Sequence, residues 1–300
     1  RVGIVDVPGH EKFIKNMLAG ACGIDIVLLV IAADEGVMPQ TIEHLDILNY
    51  LDVKKGIIVL TKCDLVDEEF IELVKDDIRE KTKRLFIEGA PIVEVDSVSR
   101  RGLDELVQKI DEISEDIEEK KTDAPSRMSI DRVFSLKGFG TIVTGTLIEG
   151  KISVDDEMTI YPSEKKVKVR NLQVHGCDVK TVYAGQRTAI NLSNIKVSEI
   201  QRGDVIAQTG SVEESMMIDV NISLVEHCKK SLKHWDRIRI FHGTKQILCR
   251  IVPLNEDEIQ YGESGYAQLR LEEKIVAKKG DRFIIRSYSP MDTIGGGVII

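Results

Sequence analysis

The hydrophobic period of this chain changes once, near residue 120, and that change limits what it can fold into. Before it, continuous apolar runs of strand length alternate with amphipathic helical stretches. "IVLLVIAA" lies within Asp25–Ala33, "GIIVLTK" spans Gly56–Lys62, and "PIVEV" ends at Val95. Between them, Pro39–Leu51 carries Pro at an early helical position, where its missing N–H costs nothing. "DEEFIELVKDDIREKTKRL" places Phe70, Leu73, Val74 and Ile78 on one helical face, and Leu103–Ile117 is a further helix. Val2–Val5 is predicted as another strand and Lys12–Leu18 as a helix. Strands apolar on both faces need cover on both sides, so this region reads as a parallel α/β sheet between helices.

The polar stretch Glu118–Ser126, with Pro125, is a linker. Beyond it come short β-branched strands broken by Gly turns, from "RVFSL" through "GDVIAQ". A second break falls at Thr209–Ser215, and strands resume from "MIDVNISLV" to "DRFIIRSY". Strands at such regular spacing predict two small antiparallel β-barrels. The boundaries expected are residues 1–121, 127–212 and 215–300. The chain opens on Arg1 inside a strand signal and stops at "GGGVII", so it is expected to be a fragment.

Several classes fall away. The longest aliphatic run is far shorter than the ~20 residues that span a bilayer, so no membrane partner is expected. The five cysteines form no C-x-x-C pair, which removes zinc ribbons and disulfide scaffolds and points to reduced thiols in the cytoplasm. Residues 1–120 hold 15 Lys+Arg against 27 Asp+Glu, and residues 121–300 hold 26 against 23. Any nucleic acid is therefore expected on the second part, although a solvated surface accounts for the charge equally well.

Two motifs sit where open parallel sheets bind ligands, beyond the carboxyl ends of strands. "DVPGH" is Asp6–His10 and "TKCD" is Thr61–Asp64. Either alone is weak, and "TKCD" is equally a helix start. Together and in order they fit a guanine-nucleotide site. Asp6 can hold Mg²⁺ through water. The Gly9 N–H, with no Cβ in the way, can approach a terminal phosphate. Asp64 offers two oxygens to the N1–H and N2–H donors that guanine has and adenine lacks, and the Lys62 stem can lie along the base. His10 is either a packing histidine or the group that orients an attacking water.

With "DVPGHEKFIKNMLAGA", "VMPQTIEHLDIL", "TKCD" and "VFSLKGFGTIVTGT", the whole chain resembles the elongation factor Tu superfamily of translational GTPases. The resemblance implies a GTPase domain, here without the phosphate loop and first switch, followed by two β-barrels. It implies GTP/GDP and Mg²⁺ as cofactors, His10 as the catalytic histidine, and Asp6, Gly9, Thr61, Lys62, Asp64 and Ser97 as nucleotide-binding residues. Thr61 stands where the family usually has Asn, and Asp96 where it usually has Ser. "VHGCDVKTVYAGQRTAINLS", "QRGDVI" and "DRFIIRSYSPMDTIGGG" are similar to the selenocysteine-specific branch. That likeness implies an aminoacyl pocket of Asp131, Arg132 and Arg187, at whose positions general elongation factors carry uncharged or acidic groups, with His175 as a further donor. The partners it implies are selenocysteinyl-tRNA, the ribosome, and an mRNA hairpin bound by a further C-terminal domain outside this chain. Two other readings stay open: a general aminoacyl-tRNA delivery or initiation GTPase, and an RNA-binding module without GTPase activity. Arg132 and Arg187 can equally be barrel-surface arginines.

Overall fold

The computed structural model describes residues 3–7, 9, 17, 23–118, 120–226 and 228–300. The described residues divide into two compact units, one of residues 9 and 24–118 and one of residues 3–7, 17, 23 and 120–300.

The first unit is a parallel sheet of β1 (Ile26–Ala32), β2 (Lys55–Thr61) and β3 (Ile92–Val95), in that order. Helices α1 (Pro39–Tyr50), α2 (Glu68–Lys81) and α3 (Leu103–Glu115) connect and cover it. The strand period of two splits the core. Ile58 and Leu60 face Leu45 of α1 and Ile71, Val74 and Ile78 of α2. Ile57 and Val59, with Val93 and Val95, face Leu103, Leu106, Ile110 and Ile113 of α3. Both faces of β2 are thus buried, which is why "GIIVL" carries no polar residue. Helix α2 starts where the Asp67 side chain accepts the Phe70 N–H at 2.8 Å.

Two expectations change here. The stripe of α2 that meets the sheet is Ile71, Val74 and Ile78, while Phe70 and Leu73 are exposed. Apolar residues cover nearly half the circumference of α2, and the sheet takes only the i, i+3, i+7 part of it. Residues 3–7 form no strand: Ile4 is 85% exposed and Val5 50%, with no ladder partner among the described residues. An apolar run becomes a strand only when a neighbour supplies hydrogen bonds. Val30 of β1 is likewise uncovered on one face. Of the Lys12–Leu18 helix only Met17 lies within the described residues.

The second unit holds two closed barrels. The first rings β4 (Arg127–Leu136), β5 (Gly140–Glu149), β7 (Glu157–Tyr161), β8 (Lys165–Val174), β11 (Arg187–Ser193) and β12 (Val205–Gln208), closed by the β8–β11 pairing. Short strands β6 (Lys151–Ser153), β9 (Cys177–Val179) and β10 (Thr181–Tyr183) extend it. The second barrel rings β13 (Glu214–Leu224), β18 (Ser264–Val276), β16 (Lys245–Pro253), β15 (Arg237–His242), β19 (Arg282–Ser287) and β20 (Thr293–Ile299). Short strands β14 (Leu232–Lys233) and β17 (Glu258–Ile259) pair beside it. Inward Ile, Leu and Val fill both barrels, and no described helix is long and apolar enough to cross a membrane.

A charge cluster joins the barrels. Arg127 of β4, with its side chain 4% exposed, donates two hydrogen bonds to Asp281 of the second barrel, at 2.6 and 2.7 Å. It donates a third to Glu149 at 3.0 Å, and Glu149 also accepts from Lys278 at 2.7 Å. His242 Nε2 lies 3.0 Å from Asp281. Burial alone would raise the Asp281 carboxyl, but the hydrogen bonds from Arg127 and His242 outweigh it and hold the group well below the usual range. Asp281→Asn should therefore cost the unit about 3 kcal/mol, because Arg127 keeps its burial and loses one of its two counter-charges, the one it holds by two hydrogen bonds. The Asp281 carboxyl binds its proton less tightly folded than unfolded. Its contribution is complete above the unfolded value of about 3.9, declines as pH falls below that, and is lost only once pH has fallen through the depressed folded value. Urea unfolding of wild type and Asp281→Asn at pH 7 and at low pH should show the two converging under acid.

Candidate functional site

The carboxyl ends of β1, β2 and β3 share one edge of the sheet, because the strands are parallel. Three loops leave from it. After β2, Thr61 donates its hydroxyl to the Ile31 carbonyl at 3.3 Å and so ties β2 to β1. Lys62 follows in the left-handed region at φ 57°. Its ammonium donates to Asp34 and Glu35 beyond β1, each at 3.2 Å, and both bonds, Asp34 first, raise its pKa. Cys63–Leu65 is one 3-10 turn, in which Asp64 is exposed with no hydrogen bond or ion pair among the described residues. A free carboxylate standing at a strand's end is the chemistry that a guanine edge requires.

After β3, the Asp96 carboxylate accepts the Val98 N–H at 2.8 Å and the Ser99 N–H at 3.2 Å. Hydrogen bonding from Ser99 and Val98 lowers its pKa. The Asp96 N–H meets the Arg101 carbonyl at 3.0 Å. Asp96, unusual in place of Ser, is thus a local brace for the loop that presents Ser97. The loop returns so tightly that a Cβ on Gly102, at φ 76°, would sit 1.9 Å from the Glu94 carbonyl oxygen. Asp6 is exposed, and no described residue lies within 4 Å of where a Gly9 Cβ would stand. His10 lies outside the described residues.

The aminoacyl candidates gather on the first barrel. Arg132 pairs with Thr144, and Arg187 with Thr146, across β4, β5 and β11. Val143 and Leu147 point inward, so Thr144, Thr146 and the arginines share the outer face. A bulge between Ile130 and Arg132 inserts Asp131, which receives the Thr144 hydroxyl at 2.6 Å and forms a salt bridge with Arg187. Arg132 is exposed and makes no ion pair or hydrogen bond among the described residues. His175, at φ 51°, follows β8 at the end paired with β11, beside Gly3. Asp131, Arg132 and Arg187 therefore share one patch with one more cation than anion. Thr144 had no signal in the sequence, because only the register puts it against Asp131.

A second face escaped the sequence reading. Arg237, Arg250 and Arg270 stand in register across β15, β16 and β18, outward of Ile238, Cys249 and Leu269. Arg237 and Arg239 lie over the Tyr288 ring at 5.0 and 5.3 Å, and Arg270 lies over Trp235 at 5.3 Å. Both rings are nearly half exposed. Glu272 accepts two hydrogen bonds from Arg237 at 2.8 Å each. The alternating "RIRI" beside Trp235 carried the signal.

Comparison with known proteins gives these features a setting. Residues 1–116 match the Elongation factor Tu GTP binding domain, residues 140–207 match Elongation factor Tu domain 2, and residues 219–300 match the Selenocysteine-specific elongation factor, beta-barrel domain. The chain is 44% identical over 300 residues to a selenocysteine-specific elongation factor of Desulfomicrobium baculatum, covering all of this chain and 47% of the relative. It is 33% identical to that of Escherichia coli, covering 99% of this chain and 46% of the relative. The chain thus spans about half the length of these relatives. A crystal structure of a bacterial selenocysteine-specific elongation factor superposes with a TM-score of 0.88 at 31% identity, covering 98% of this chain and 48% of that one. A Methanococcus maripaludis translation elongation factor SelB, in complex with the GTP analogue GppNHp, gives 0.88 at 27% identity, covering 98% and 69%.

The brace in the third loop can be tested without any ligand. Asp96→Ala should speed amide hydrogen exchange at Val98 and Ser99 by about tenfold, with β3 unchanged, because two charge-assisted hydrogen bonds are lost.

Proposed function

We propose that this chain, which belongs to the selenocysteine-specific elongation factors of the elongation factor Tu superfamily, is the base-reading and cargo-holding part of a GTPase that carries selenocysteinyl-tRNA to the ribosome. The observation that carries this reading is the bulged Asp131 with Arg132, Thr144 and Arg187 on one outer barrel face. A selenol is more acidic than a thiol and is anionic near neutral pH. A selenolate takes hydrogen bonds from guanidinium donors. A serine hydroxyl would leave a cation uncompensated. Asp131 orients Arg187, while Arg132 is the open donor, and His175 adds a third.

At the sheet edge, Asp64 reads guanine, the Lys62 stem flanks the base, the Ser97 N–H meets the guanine oxygen and Thr61 holds the loop. Asp6 would hold Mg²⁺, the Gly9 N–H and His10 would act at the terminal phosphate, and bound Mg²⁺ would supply charge neutralisation there. GTP orders the surrounding segments, and hydrolysis on the ribosome releases the cargo. The arginine–aromatic face of the second barrel suits an RNA backbone, with positive charge for phosphates and exposed rings for stacking. A C-terminal domain outside this chain would bind the mRNA hairpin, and the setting is the cytoplasm.

The test uses a protein carrying this chain together with the further length its relatives possess. Arg132→Ala and Arg187→Ala should each lower the preference for selenocysteinyl-tRNA over seryl-tRNA about tenfold in competition binding, with guanine-nucleotide affinity unchanged. An unchanged preference in both variants sinks the proposed pocket.

A further inference from the structure

The two barrels meet at a second place, next to the bulge. The β15–β16 hairpin turns through Gly243 and Thr244, between the paired His242 and Lys245. This tip lies hard against the first barrel. A Cβ on Gly243 would come within 2.7 Å of the Ser129 hydroxyl, and one on Gly203 within 2.8 Å of the Lys245 side chain. The Thr244 hydroxyl donates to the Ile130 carbonyl at 2.7 Å. The same carbonyl accepts the Gly203 N–H at 2.9 Å, while the Ile130 N–H donates to the Asp204 carbonyl at 2.9 Å. Ile130 is therefore held at both backbone groups. The next residue is the inserted Asp131, whose carboxylate takes the Thr144 hydroxyl and the Arg187 guanidinium.

A bulge re-aims the side chains that follow it, and its geometry depends on what fixes its flanks. Here one flank is fixed from the other barrel. We infer that Thr244 is a positioning residue for the aminoacyl pocket: by holding the Ile130 carbonyl, it sets the direction in which Asp131 and Arg132 leave β4. Thr244 touches no cargo and acts through Ile130 alone. This rests on the proposed pocket, and it links the barrel bearing the arginine–aromatic face to the residues that select the cargo.

The test compares Thr244→Val, which keeps the shape and removes the donor, with Thr244→Ser, which keeps the donor. In this chain, backbone amide exchange over residues 129–132 should be about five times faster in Thr244→Val and within about twofold of wild type in Thr244→Ser. In the longer protein, the preference for selenocysteinyl-tRNA over seryl-tRNA should fall by a similar factor in Thr244→Val only. Thr244→Ala repeats the donor loss should valine disturb the turn. A Thr244→Val protein with a lower urea midpoint but unchanged exchange and preference overturns the inference, leaving Thr244 as barrel adhesion. If wild type itself shows no preference, the pocket reading fails and the exchange comparison alone decides the positioning role. Faster exchange in Thr244→Val but not Thr244→Ser sustains that role, and equal exchange in both removes it.

Discussion

Arg127 carries a full positive charge with its side chain 4% exposed, and the two-barrel unit is arranged around satisfying it. A buried guanidinium without partners costs several kcal/mol, so Asp281 and Glu149 must both be present and correctly placed. Asp281 comes from the second barrel and Glu149 from the first, so meeting this need fixes the barrels against each other. The Thr244 contact with Ile130 adds a neutral hydrogen bond at the same junction. The outer face bearing Arg132 and Arg187 and the face bearing Trp235 and Tyr288 then sit on one rigid body.

In the sheet unit the organising constraint is different. Parallel strands place their carboxyl ends on one edge, so three loops far apart in sequence converge there, and Lys62 links two of them through Asp34 and Glu35. Thr61 ties one loop to β1 by its hydroxyl, and Asp96 braces another through two backbone amides. Both residues depart from the usual family choice. In each case the side chain stabilises its own loop and leaves the neighbouring group, Asp64 or Ser97, facing outward. The departures are therefore compatible with the reading of guanine proposed for this edge.

Much of this was legible in the sequence because it follows from periodicity. Apolar strands with both faces covered, the linker before Ser126 and the change to short β-branched strands all appear as local patterns. What stayed hidden depends on register and partners. Phe70 and Leu73 belong to the same apolar arc as Val74, and only the width of the sheet decides which of them it buries. Residues 3–5 have strand composition but no neighbour to pair with among the described residues. Thr144 is one threonine among several until the bulge sets it opposite Asp131. Arg127 and Asp281 are 154 positions apart, and no local pattern links them. The row of Arg237, Arg250 and Arg270 exists only across strands.

In the proposed function, charge rather than size selects the cargo. One tRNA body charged in turn with serine, cysteine and selenocysteine tests this, because the side chains differ in one atom, and sulfur and selenium are nearly equal in size while the selenol is far more acidic. Competition binding at neutral pH to the complete GTP-bound protein should rank selenocysteinyl above cysteinyl above seryl, with the widest gap at selenium. Equal affinity for the three charged forms would contradict the account.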